Sequence, residues 1–177
     1  METKVITGKV RFSYVTVFEP RAIEGSDREK YSVSVLIDKN DTKTINAIEA
    51  AIEQAKKDSV SKWGGKIPAN LHLPLRDGDI DRPDDEAYAG SYFFNANSRQ
   101  APQVVDAKVQ PILDQSEVYS GCYGKISVTF YGYNANGNRG IAAGLGNIQK
   151  LRDGESLGGR SNAEDDFQTE DDEDFLN

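Results

Sequence analysis

The sequence predicts a mostly β, α+β domain of antiparallel strands with one main helix. Apolar and polar residues alternate with period two over several stretches, while one stretch alone repeats its apolar residues at helical spacing. Asn136 and Gly137 separate the two clearest alternations, which is the strongest short-range signal for a hairpin. Sixteen Gly, eight Tyr and seven Phe suit short strands joined by tight turns.

Residues 3–19 read as a long strand. Ile6, Val10, Phe12, Tyr14 and Phe18 share one side, and Thr7, Lys9, Arg11 and Ser13 form a wet, basic face on the other. Pro20 ends it, and a polar loop over 22–27 leads to a second, antiparallel strand at 30–38, where Tyr31, Val33, Val35 and Ile37 alternate with Ser32, Ser34 and Leu36. Asp41 or Thr42 then caps a helix whose Ile45, Ile48, Ile52 and Ala55 form one apolar stripe, ending near Trp63 where Gly64 and Gly65 follow. Residues 66–90 hold no long period and read as a surface connection. Residues 91–99 form a strand that 103–107 extend or pair with. In the strand at 125–133, Ile126, Val128 and Phe130 point inward, and Lys125, Ser127, Thr129, Tyr131 and Tyr133 point outward. Residues 141–151 return as its hairpin partner. Five to seven strands, one helix and long excursions between strands suggest a small Greek-key barrel of the oligonucleotide/oligosaccharide-binding kind over residues 1–155.

Residues 156–177 are expected to be a flexible linker and a disordered acidic tail. From 163 to 177 the chain carries eight acids and no Lys or Arg, which accounts for the whole net charge of -8 and leaves the body neutral. Such a run cannot bury enough apolar area to offset its ordering entropy, and it repels itself. Asp171, Asp172, Glu173, Asp174 and Phe175 are the candidate partner-binding residues, with Phe167 and Leu176 as further hydrophobic handles. The target of such a tail is a basic surface, on a partner or on this chain.

The lone Cys122 cannot form an internal disulfide, and no apolar leader follows Met1, so a reducing cytoplasm is the expected compartment. No apolar run approaches the roughly 20 residues of a membrane span. One His and one Cys leave no usual zinc site, and no nucleophile motif occurs. The cluster Asp77, Asp79, Asp81, Asp84, Asp85, Glu86 fails the calcium-loop template, because Arg82 stands where its glycine belongs and Tyr88 where its bidentate glutamate belongs. The inventory therefore asks for no catalytic residue, metal or cofactor.

What remains is a binding surface. Tyrosines flanked by Lys and Arg offer stacking planes for bases and charge for phosphates. The candidates are Lys9, Arg11, Trp63, Arg76, Arg82, Arg99, Lys125, Tyr131, Tyr133 and Arg139. Each has a plainer reading: the tyrosines as core cover, Trp63 as a cap of the helix against the core, and the isolated bases as solvated charge.

Three strings, VRFSYVTVFEP, PLRDGDIDRPDDEAYAGSYFFNANS and EVYSGCYGKISVTFYGYNANGNRGIAAGLGNIQKLRDGESLGGR, resemble a family of bacteriophage single-stranded DNA-binding proteins, formerly known only as a domain of unknown function. The resemblance spans nearly the whole chain and is most specific over 117–160. It implies an oligonucleotide/oligosaccharide-binding barrel that coats single strands during phage replication and recombination, in the host cytoplasm. The tail is similar in style to those of bacterial and other phage single-strand binders, which end in acids followed by an aromatic, and it is expected to compete with DNA for the groove and, once displaced, to address replication or recombination proteins. Here Phe175 is followed by Leu176 and Asn177, so a pocket that reads a terminal Phe carboxylate is not satisfied. The expected partner is single-stranded DNA, and homo-oligomerisation is compatible with the sequence without being specified by it. Two rival readings are an acidic, protein-only mimic of nucleic acid, which the neutral body disfavours, and a metal-dependent nuclease on residues 77–86.

Overall fold

Alternation in this chain closes into a ring. The computed structural model describes residues 3–22 and 29–157, so the acidic tail and most of the 22–27 loop lie outside the described residues. The strands are β1 (Lys4–Ile6), β2 (Val10–Ala22), β3 (Glu29–Asp38), β4 (Arg76–Asp77), β5 (Ser91–Ser98), β6 (Val104–Val105), β7 (Tyr123–Ala135) and β8 (Asn138–Arg152). β2, β3 and β5 pair antiparallel in turn, β5 meets β8 in parallel, β8 pairs with β7, and β7 returns to β2. This is the closed Greek-key barrel, with β1, β4 and β6 as short additions on β7, β5 and β8. Closure leaves none of the five long strands with two free edges.

The barrel closes where β2 meets β7 through Val10↔Gly124 and Arg11↔Tyr123. A Cβ on residue 124 would stand 2.1 Å from the Gln149 carbonyl oxygen and 2.8 Å from the Phe12 ring, so only glycine lets the strands approach this closely. The β7–β8 turn uses Asn136 at φ 52° and Gly137 at φ 87°, the two left-handed residues that match the twist of a two-residue hairpin.

The helix α1 (Thr42–Asp58) has the predicted start and apolar stripe but ends at Asp58, short of the stop expected near Trp63, and a separate 3-10 turn, Val60–Trp63, leads to Gly64. The Asp41 side chain accepts from Thr44 N at 3.2 Å, and Ile45, Ile48, Ala51, Ile52 and Ala55 are buried among Phe12, Val35, Phe94, Phe130 and Ile148. Burying each isoleucine contributes about 1.5–3 kcal/mol. The Thr44 hydroxyl accepts from Gly8 N at 3.0 Å, pinning the start of the helix to the break between β1 and β2.

That break corrects the single long strand expected over 3–19. Gly8 interrupts it, and an irregular register follows Ser13, where Tyr14 has φ 48°. Each interruption shifts the phase of alternation, so Thr7 and Ser13 are buried while Ile6 and Tyr14 are exposed, opposite to the period-two reading.

The connection over 66–90 is also more than a surface loop. Residues 72–77 form a strap over the gap between β5 and β8: His72 N donates to the Arg139 carbonyl and Ile141 N to the His72 carbonyl, while Arg76 pairs with Phe93. The single-turn helix α2 (Gly78–Asp81) and a 3-10 turn, Glu86–Tyr88, then form a spur over the outer face of β3 and β5. Tyr88, 1% exposed, packs edge-on against Phe93 above Leu36 in a small second core.

Candidate nucleic-acid interface

The spur covers only half of the outer β3–β5 face, and the open half is a groove. Ser32 and Ser34 stand opposite Asn97 and Asn95, Asn97 opposite Gly144 of β8, and Ala142 opposite Tyr131 of β7. These small side chains floor the groove. Tyr14 and Arg82 line one end, and His72, Leu73, Arg76 and Tyr133 line the other, the two lengths meeting at Asn95 and Asn97. Tyr131 continues it past Tyr133, beside Lys62.

The rings differ in availability. Tyr14 is 61% exposed and Tyr131 43%, while Tyr133 is half-buried. A non-glycine residue in the left-handed region is uncommon and costly to hold, and such strain gathers at ligand sites. At Tyr14 the backbone conformation lifts the ring out of the pleat into the groove mouth. Arg82 is fixed on the spur with its guanidinium carbon 5.6 Å from the Tyr88 ring centroid and 5.9 Å from that of Phe93. Arg76 faces Asp81 at 3.9 Å, a long and exposed contact that leaves it free to meet a phosphate.

The acidic cluster is engaged in building this frame. Lys39 reaches Asp77 at 2.8 Å and Asp79 at 2.7 Å. Hydrogen bonding to Asp77 and then Asp79 holds its ammonium above the ordinary lysine range, and the same bond holds the Asp79 carboxyl below its ordinary value. Asp79 also accepts from Gly90 N, Asp77 from Asp79 N and Asp85 from Ala87 N, so these carboxylates serve as turn and helix caps. Among the described residues no three His, Cys, Asp or Glu are grouped to hold a metal ion. Burial pushes the Cys122 thiol up, away from the reactive thiolate.

Of the residues expected at the interface, Arg76, Arg82, Tyr131 and Tyr133 meet along this groove. Trp63 does not. It is 6% exposed, its indole N–H donates to the Tyr133 carbonyl at 3.0 Å, and beside it Lys62 Nζ donates to the Gly132 carbonyl at 2.7 Å. Trp63 therefore anchors the turn after α1 to β7 from within and presents no face to a base. Lys9 and Arg11 lie apart, around the Tyr123 ring on the β2–β7 seam. Lys125 stands on the outer face of β7, beside a separate depression lined by Lys4, Ile6 and Val109. Arg99 is exposed just beyond β5, and Arg139 is half-buried opposite Asn134 next to the hairpin turn. Sequence reasoning missed Tyr14, Asn95 and Asn97. Val10 and Phe12 beyond Gly8 are buried as the alternation predicts, and Tyr14 turns outward only through the irregular register and left-handed backbone after Ser13, for which the sequence carries no signal.

A family model described as Enterobacter phage Enc34, ssDNA-binding protein, matches residues 3–176. Protein p50 of Acyrthosiphon pisum secondary endosymbiont phage 1 is 34% identical over 166 residues, covering 88% of this chain and 87% of that protein. The single-stranded DNA-binding protein from bacteriophage Enc34, solved in complex with ssDNA, superposes with a TM-score of 0.79 at 25% identity, over 88% of this chain and 90% of that one. The fold is also similar to that of gp2.5, a single-stranded DNA-binding protein encoded by bacteriophage T7, with a TM-score of 0.63 at 16% identity, over 95% and 96% of the two chains.

Proposed function

Since the chain belongs to the family of the Enterobacter phage Enc34 ssDNA-binding protein, we propose that its groove holds single-stranded DNA without base-sequence preference, and that it acts in phage replication and recombination. The observation that carries this reading is the pairing of two exposed rings, Tyr14 and Tyr131, with a floor of small polar side chains between them and Arg76 and Arg82 alongside. A ring stacks on any base, and a floor of Ser, Asn, Ala and Gly leaves room for the strand to lie flat. Arginines at the rim meet phosphates, which carry no sequence information.

Anisotropy titration of labelled oligo-dT, a mixed-sequence single strand and the matching duplex tests it. The two single strands are expected to bind alike and more tightly than the duplex. The logarithm of the affinity should fall linearly with that of salt, with a slope of about -0.7 per phosphate contacted. Failure to bind either single strand at low salt would sink the proposal.

The acidic tail supports a second element of this reading: tethered to the barrel, it competes for the cationic surface at an effective concentration of order mM. DNA displaces it and leaves Phe175 and its acidic neighbours free for proteins of the replication or recombination machinery. Deleting residues 163–177 is expected to tighten oligo-dT binding several-fold at low salt and progressively less as salt screens the tail. Equal affinities at low salt would count against self-competition.

A further inference from the structure

Beyond the spur, on the same outer face, three cations converge on a single ring. Lys9 Nζ lies 5.9 Å, the Arg11 guanidinium carbon 5.4 Å and that of Arg152 4.8 Å from the Tyr123 centroid. Lys9 comes from the break before β2, Arg11 from β2 and Arg152 from the end of β8, and barrel closure brings them together through Arg11↔Tyr123 and Tyr123↔Arg152. All three charges thus share a volume comparable with the Debye length of about 8–10 Å, where their mutual repulsion is poorly screened. No ion pair among the described residues involves any of them, and the depression they line holds one carboxylate, Asp38. Arg11 is held in place by its own bonds, Nε to the Gly121 carbonyl at 3.1 Å and a terminal nitrogen to the Glu155 carbonyl at 2.7 Å, and these leave further N–H donors of its fork unused. A fixed excess of positive charge around a depression is an anion site.

We propose that Lys9, Arg11 and Arg152 form a phosphate clasp for the same DNA strand, engaged after the strand leaves the groove and passes the Tyr88 spur. The clasp rests on the single-strand reading above. Continuity favours the strand as its occupant: Ser34 lines the groove and Leu36 the clasp, two residues apart on β3, with only the spur between them and Arg82 on its groove side. Cations stand over the Tyr123 ring, so this site reads backbone charge, whereas Tyr14 and Tyr131 are open to bases.

The test is the double substitution Lys9→Ala and Arg152→Ala, which spares the anchored Arg11. Removing two phosphate contacts is expected to flatten the salt dependence of long oligo-dT binding by about 1.4 in log–log slope and to lower its affinity on the order of tenfold at low salt. The shortest oligo-dT that the parent binds, which fills the groove alone, should bind parent and variant alike, and Lys9→Arg with Arg152→Lys should restore the parental slope. An unchanged slope on long oligonucleotides overturns the clasp, as does an equal loss on short and long ones. A gain in affinity that disappears once residues 163–177 are removed also overturns it, because the cluster would then be the seat of the competing acidic tail. A parent that binds no oligonucleotide overturns the single-strand reading itself, whereas the first three outcomes leave that reading standing.

Discussion

Replacing Tyr14 and Tyr131 together with alanine is expected to weaken binding to oligo-dT by about two to three orders of magnitude and to leave stability nearly unchanged. Stacking one base on one ring is worth about 1–3 kcal/mol, and 1.4 kcal/mol is tenfold in affinity. Both rings are exposed, at 61% and 43%, so the fold loses little when they are removed, within roughly 0.5 kcal/mol each for surface positions. Two controls separate stacking from other losses. The pair Tyr14→Phe and Tyr131→Phe keeps both π-faces and should bind like the parent. In the alanine pair the salt slope should match the parent's, because rings neutralise no phosphate. Anisotropy titrations at several salt concentrations, with thermal melts beside them, decide the matter. An alanine pair that binds within threefold of the parent would move the stacking surface elsewhere.

Much of the barrel was legible because its pattern is local. In β7 the buried Ile126, Val128 and Phe130 alternate without a break, and the Asn136–Gly137 turn fixes the register with β8 from Ala135↔Asn138 to Val128↔Leu145. In α1 the apolar stripe, the Asp41 cap and the closing glycines all agree. Where the reading failed, local pattern and tertiary structure parted. Alternation over β1 and β2 ignores a glycine and an irregular register, and each reverses inside and outside, which placed Tyr14 in the core. For Trp63, among lysines and glycines, the sequence left stacking and capping of the helix against the core both open, and closure of the α1 turn onto β7 selects the cap. The clasp was half visible. Lys9 and Arg11 stood out as a basic strand face, but Tyr123 and Arg152 join them only through the ring closure between β2, β7 and β8, which no short-range periodicity encodes.

The groove also depends on a residue that touches no DNA in this reading. Tyr88→Ala is expected to destabilise the protein by about 3–5 kcal/mol, the range for removing a buried aromatic side chain. The ring is 1% exposed, meets Phe93 at 5.0 Å and 90°, and covers Leu36, so its loss opens the second core from above. Tyr88→Phe keeps the packing and loses only the hydroxyl contact with the Ser34 hydroxyl at 3.1 Å, a net cost of about 1 kcal/mol. Urea denaturation of the three proteins should therefore order them parent, phenylalanine, alanine, with the larger step last. Function should separate along the same line. Tyr88 seats the Arg82 guanidinium at the groove mouth, so the alanine variant, assayed below its unfolding transition, should lose at least the affinity that Arg82→Ala loses. Arg82→Ala itself should melt like the parent. If Tyr88→Ala unfolds at the parental urea midpoint, the spur contributes no second core, and the groove has to be held open by the barrel strands alone.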